Sequence, residues 1–204
     1  MTTGHVFMAM SLDGFVARED FGLDWLMKQK TDGEEHGHAA FTESVDGLVM
    51  GSGSFRTVLT FGSWPYERPV VVLSRAMKPN DIPEDLRDKV TVSALAPRQL
   101  MVSLSKQGWK RAYIDGGKII QSFMREGLIA DMTVTVVPIL IGEGKRMFGA
   151  LDADIDLRLL GSKSFPSRLV TSRYEVIQGS WQTPDAKRFV ALKKQTRPQL
   201  GRAS

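Results

Sequence analysis

The sequence contains no cysteine. Disulfides, thiolate metal sites and cysteine nucleophiles are excluded, and a reducing compartment, the cytoplasm, is the expected setting. Histidine is scarce, with three in 204 residues. His36 and His38 lie two apart, so on a helix they point to different faces, unlike the i, i+4 pair of a zinc-binding HExxH helix. They are expected to be solvated, and no metal is expected. No apolar run approaches the roughly 18 residues that a membrane span needs. Asp13 ends the first apolar stretch early and no charged leader precedes it, so no membrane partner is expected. Internal repeats and polar low-complexity linkers are absent, as are GxGxxG and GxxxxGK[ST], two well-known phosphate-binding signatures.

What is present is an ordinary globular composition, 42% hydrophobic and 25% charged. One domain is expected over residues 1–194, followed by a polar, basic, frayed tail at 195–204. A net charge of +4 favours anionic ligands such as a phosphorylated cofactor. The basic residues near the end (Lys187, Arg188, Lys193, Lys194, Arg197 and Arg202) accompany no nucleic-acid reader module, so no nucleic-acid partner is expected.

Residues 111–148 organise the chain. An apolar strand at 112–114 leads into a turn, Asp115, Gly116 and Gly117, and then an amphipathic helix. Ile119, Ile120, Phe123 and Met124 repeat at helical spacing, and Gly127 stands where a left-handed helix stop belongs. The next strand alternates through Met132, Val134 and Val136 until Pro138 interrupts its ladder. The chemistry is expected at the turn. Two glycines let backbone approach a ligand, and a helix starting there presents free N–H groups and a positive dipole end, which suit a pyrophosphate. The same Gly-Gly also reads as a tight strand-to-helix connection with no ligand.

Upstream, strands are predicted at 5–10, 15–17, 46–50, 70–73 and 90–93, and helices at 34–44 (with Asp32 as a possible cap), 51–59 and 97–107. Asp13 is either a substrate-facing carboxylate or a turn aspartate bonding its own backbone. Trp25 either walls a pocket or anchors its loop in the core. The segment from Gly51 through Ser52 and Ser54 is a second strand–glycine–helix transition, able to hold phosphate or merely to cap. Ser74-Arg75 after the strand ending at Leu73 is either an adenosine 2′-phosphate site or a surface arginine. Two antiparallel strands are predicted at 155–163 and 169–177, and a last strand at 187–193. Strands alternating with helices, then a run of strands, give α/β with a mixed sheet and antiparallel C-terminal strands.

In this order the pieces resemble the dihydrofolate-reductase-like family, and within it the reductase domain of the bifunctional riboflavin-biosynthesis enzyme and its stand-alone relatives. The resemblance rests on SLDGFVA (11–17), DWL (24–26), VMGSGSF (49–55), VVVLSR (70–75), YIDGGKIIQSFMREGLIADM (113–132) and VVPILIGEGKRMF (136–148). It implies a three-layer α/β/α fold and an NADPH-dependent reductase. The hydride acceptor would be a small heterocyclic or sugar-derived substrate, such as 5-amino-6-(5-phosphoribosylamino)uracil. A non-catalytic nucleotide sensor and a dihydrofolate reductase remain as alternatives. Cofactor contacts are implied for Ala17, Gly51, Ser52, Ser54, Phe55, Leu73, Ser74, Arg75, Asp115, Gly116, Gly117, Lys118 and Ile119. Substrate contacts are implied for Asp13, Trp25, Pro138 and Glu143, with Asp13 the catalytic candidate, and a homodimer is implied. Ser52 departs from the family's arginine in G-R-x-T-[YF], which removes a phosphate partner and puts the cofactor preference in question. The riboflavin enzyme's other half is a zinc deaminase with cysteine ligands, a reaction this cysteine-free chain is not equipped for.

Overall fold

The computed structural model describes residues 1–177; the predicted strand at 187–193 and the tail at 195–204 lie outside the described residues. The strands are β1 (Thr3–Ser11), β2 (Phe15–Ala17), β3 (Gly47–Gly51), β4 (Val70–Leu73), β5 (Val90–Ser93), β6 (Arg111–Asp115), β7 (Ile129–Val137), β8 (Lys145–Arg146), β9 (Leu157–Ser164) and β10 (Val170–Val176). The helices are α1 (Asp24–Met27), α2 (His38–Glu43), α3 (Ser52–Leu59), α4 (Pro97–Lys106) and α5 (Gly117–Arg125). Eight strands form one mixed sheet in the order β5-β4-β3-β6-β1-β7-β10-β9. All neighbours from β5 to β7 are parallel, and β10 and β9 run antiparallel. A two-stranded ribbon, β2 with β8, stands apart from it.

Parallel strands need cover on both faces. On one face Leu100, Met101 and Leu104 of α4 and Ile120, Phe123 and Met124 of α5 pack on Val6, Val49, Val71 and Ile114. On the other, Phe55 of α3 joins Ile82 and Leu86 over Leu48, Met50, Val70 and Val72, with Phe41 of α2 packed alongside. This is the expected three-layer arrangement. Ile120 and Phe123 are 0% exposed, and each such side chain contributes about 1.5–3 kcal/mol relative to exposure. Gly127 ends the α5 segment with φ +65, the left-handed stop read from the sequence.

The helix predicted at 34–44 is shorter than expected. Gly37, at φ +88, is the N-cap of α2, so Asp32 caps nothing. Glu34 is drawn away instead: its carboxylate accepts the Ser167 N–H at 2.7 Å and the Ser167 hydroxyl at 2.6 Å. Nor is His36 solvated. Its ring stacks on Phe165 with centroids 4.1 Å apart and its side chain is 19% exposed, whereas His38 does face solvent.

The sheet order creates a particular crevice. From β3 the chain crosses to β4, whereas from β6 it crosses through α5 to β7 on the opposite side. β3 and β6 are hydrogen-bonded neighbours. Their C-terminal ends therefore open a gap between connections leaving in opposite directions, the usual ligand position in open α/β sheets.

Close packing at the sheet's other end depends on Gly47. A Cβ there would lie 2.1 Å from the Trp109 ring and 2.6 Å from the Pro69 carbonyl oxygen. Gly47→Ala is expected to cost about 1–3 kcal/mol by overpacking, read as a lower urea midpoint. An unchanged midpoint would contradict this packing.

Candidate active site

A cleft of 740 Å³ occupies the crevice between β3 and β6. Its floor is built by Gly51 to Ser54 at the start of α3 and Asp115 to Ile119 at the start of α5. Met8 and Ala9 of β1, Ala17 of β2 and Leu73 at the end of β4 add to the walls. The rim carries Phe21, Leu23 and Leu26 on one side and Gly144 to Arg146 on the other.

Both helices begin without a side-chain cap. Their first N–H groups, which have no partner inside a helix, therefore face the cleft together with two positive dipole ends. The diglycine turn is demanded first by the protein itself. Gly116 has φ +91, and a Cβ on it would lie 2.6 Å from the Ser54 hydroxyl; one on Gly117 would lie 2.3 Å from the Arg146 carbonyl oxygen. The turn thus docks α5 against α3 and β8 while lining the cleft.

Asp115 is the acidic group on the floor. Burial pushes its carboxyl above the usual carboxylate range, against the opposing pull of the Ser54 hydroxyl, the Gly116 N–H and the Tyr113 hydroxyl. The Tyr113 hydroxyl gives its hydrogen to the Phe7 carbonyl at 2.8 Å. Tyr66 lines the cleft nearby, its hydroxyl pushed up by burial and by the charge of Asp115.

Among the described residues four cations line the cleft: Arg56, Lys118, Lys145 and Arg146. Lys145 pairs with Glu19 and lies 5.2 Å from the Phe21 ring centroid. Arg146 covers the Phe15 ring at 4.4 Å and donates to the Asp13 carbonyl at 3.4 Å. Phe21 itself has φ +69, and its ring occupies the space beside Gly53, where a Cβ would stand 2.3 Å away.

Of the residues singled out in the sequence, Ala17, Gly51, Ser52, Ser54, Leu73, Asp115, Gly116, Gly117, Lys118 and Ile119 line this cleft. The others are placed elsewhere. Phe55 is 1% exposed in the core, because the inward face of α3 carries it under Trp64. Trp25 is 0% exposed and packs on Val137 and Leu169, so it anchors its loop. Ser74 accepts the Ala76 and Met77 N–H groups in its own turn, and both it and the exposed Arg75 lie past the wall that ends at Leu73. Pro138 and Glu143 are exposed outside the cleft.

Asp13 bonds its own backbone, as a turn aspartate does, and reaches further. Its carboxylate accepts the Ser11 hydroxyl at 2.5 Å, the Gly142 N–H at 2.8 Å and the Ile141 N–H at 3.1 Å. It ties the β1–β2 turn to the loop that carries Gly144. Missed from the sequence were Phe21, Tyr66 and Arg56. The first two sit in turn-rich connections without periodicity, whereas Arg56 follows Ser52 by one helical turn and was readable from that spacing.

Residues 2–171 match the model of the RibD C-terminal domain. The chain belongs to the RibD C-terminal domain family. It is 28% identical over 163 residues to the uncharacterized protein YwjB of Bacillus subtilis (strain 168), covering 78% of this chain and 90% of that one. A candidate riboflavin biosynthesis protein from Shewanella sp. PV-4 superposes with a TM-score of 0.81 at 36% identity, over 87% of this chain and 100% of that one. The fold recurs in the diaminohydroxyphosphoribosylaminopyrimidine deaminase/5-amino-6-(5-phosphoribosylamino)uracil reductase of Thermotoga maritima. There the TM-score is 0.65 at 13% identity, over 86% of this chain and 57% of that one. No group of three or more metal-ligating side chains and no helix long and apolar enough to cross a membrane occurs among the described residues.

The Asp13 clamp of this RibD C-terminal domain is pH-sensitive in one direction. The Ser11 hydroxyl and then the Gly142 and Ile141 N–H groups hold its carboxyl below the ordinary value of 3.8. Its contribution is complete above that value and is lost as pH falls through the lower folded-state value. Amide exchange at Ile141 and Gly142 is expected to accelerate in that acid window, relative to a β7 amide used as reference, and at all pH values in Asp13→Ala. Equal exchange in variant and wild type would dismiss the clamp.

Proposed function

We propose that this RibD C-terminal domain is an NADPH-dependent reductase acting on a ribosylamino-pyrimidine such as 5-amino-6-(5-phosphoribosylamino)uracil. The observation that carries the reading is the meeting of two uncapped helix starts and a buried carboxyl at the β3–β6 switch point. A dinucleotide fits this cleft by its chemistry. The N–H groups at Ser52 to Ser54 and at Gly117 to Ile119 suit a pyrophosphate, and Lys118 adds positive charge at the cleft wall. Ala17, Gly51 and Leu73 offer apolar or small surface to its rings.

When bound, the cofactor supplies the hydride for a C=N or C=O carbon of the substrate's sugar. The chain supplies alignment, exclusion of water and a proton. The rim residues Phe21, Leu23 and Leu26 wall the cleft with apolar surface, which keeps water from the acceptor carbon. Asp115, held by Ser54, Gly116 and Tyr113, is the acidic group placed to hold a proton against the nitrogen or oxygen that gains one as its carbon is reduced. Asp13 and Glu143 do not line the cleft, so the proton role is proposed for Asp115 in their place.

The family likeness also carries a proposed homodimer. Among the described residues β9 is an edge strand with every residue exposed, including Leu157 at 43%, Leu159 at 57% and Leu160 at 52%, an edge that a second copy would protect. Light scattering at micromolar concentration is expected to give twice the mass of the chain; the mass of one chain would remove the dimer.

Turnover is tested by following oxidation of NADPH with 5-amino-6-(5-phosphoribosylamino)uracil. Asp115→Asn is expected to lower kcat by about 10²–10⁴-fold while leaving NADPH binding in place. kcat/KM should fall as pH rises through the raised Asp115 value, since only the protonated form donates. Full turnover in Asp115→Asn would remove the proton role, and no turnover by wild type with any ribosylamino-pyrimidine would remove the substrate class.

A further inference from the structure

Resting on the NADPH reading above, we propose that Arg56 recognises the cofactor's 2′-phosphate and sets the preference for NADPH over NADH. Ser52 at the start of α3 carries no charge, and the sequence alternative, Arg75, follows the last β4 residue that lines the cleft. A phosphate monoester in the cleft therefore needs another cation.

Two of the four lining cations are already engaged: Lys145 with Glu19, and Arg146 with the Phe15 ring and the Asp13 carbonyl. Arg56 and Lys118 make no ion pair or side-chain hydrogen bond recorded among the described residues. They differ in place. Lys118 is the second residue of α5, beside the diglycine turn that suits the pyrophosphate.

Arg56 is on α3, four residues after Ser52, so the two share a helix face one turn apart. Side chains on a helix lean toward its N-terminus, so the stem of Arg56 is biased back toward the start of α3. The small side chain of Ser52 leaves that face open. A guanidinium also presents a planar fork of donors that matches a phosphate's oxygens. Arg56 thus supplies a cation to the start of α3 from one turn further along the same helix. Arg56 is exposed, and its replacement leaves the core intact.

The test is fluorescence titration of the full chain with NADPH and with NADH, together with competition by 2′,5′-ADP. Variants are Arg56→Gln, Arg56→Lys and Arg75→Ala. Wild type is expected to prefer NADPH. Arg56→Gln should weaken NADPH and 2′,5′-ADP by about tenfold or more while moving NADH by less than about twofold. Arg56→Lys should recover part of the loss, and Arg75→Ala should shift neither dinucleotide by more than about twofold. Equal loss of NADPH and NADH in Arg56→Gln, no loss at all, or the selective loss appearing in Arg75→Ala instead would each overturn the assignment. Wild type binding NADH as tightly as NADPH would overturn it as well. Wild type binding neither dinucleotide is a different result, since it overturns the cofactor reading itself.

Discussion

The site depends on how closely the Gly116–Gly117 backbone is seated between α3 and β8. Ser54 occupies the room a Cβ on Gly116 would need, and the Arg146 carbonyl occupies the room for one on Gly117. That contact fixes the start of α5 against the start of α3. It also holds the β8 ribbon, with Lys145 and Arg146, at the rim. Remove the contact and the two helix starts would no longer point into one space. Glycine here serves architecture before it serves any ligand, because the nearest atoms belong to the chain.

Charge is distributed with a purpose that follows from this seating. The helix starts and cations make the cleft favourable to anions. Asp115 would oppose them if it were ionised. Burial favours its neutral form against the pull of its hydrogen-bonding neighbours, so an acidic group and an anion-attracting floor coexist. Position 52 is an uncharged serine, yet the cleft keeps positive charge through Arg56 on α3 and Lys118 on α5.

Much of the fold was legible in the sequence because its signals are local. The spacing of Ile119, Ile120, Phe123 and Met124, the Gly127 stop and the Pro138 break each match the structure. The α2 boundary was misread because Glu34 answers a distant partner, Ser167, and no local pattern records that. Candidate site residues on strand ends and helix starts came together, because strand–glycine–helix punctuation marks where parallel strands end. Residues on connections did not. Trp25 went to the core and Asp13 to a loop clamp, both decided by contacts more than a hundred positions away in the chain. Arg75 stands two residues past Leu73, the last β4 residue that lines the cleft.

The position of β1 has a consequence for how the chain is made. β1 is synthesised long before its partners, β6 at Arg111–Asp115 and β7 at Ile129–Val137. On a ribosome it would emerge with both edges unpaired and with Val6, buried in the finished protein, exposed until most of the described chain had followed. The hydrogen-bonding groups of β3 toward β6 wait in the same way. Nascent chains of this topology spend their synthesis with open strand edges, the state in which pairing with a neighbouring chain competes with folding.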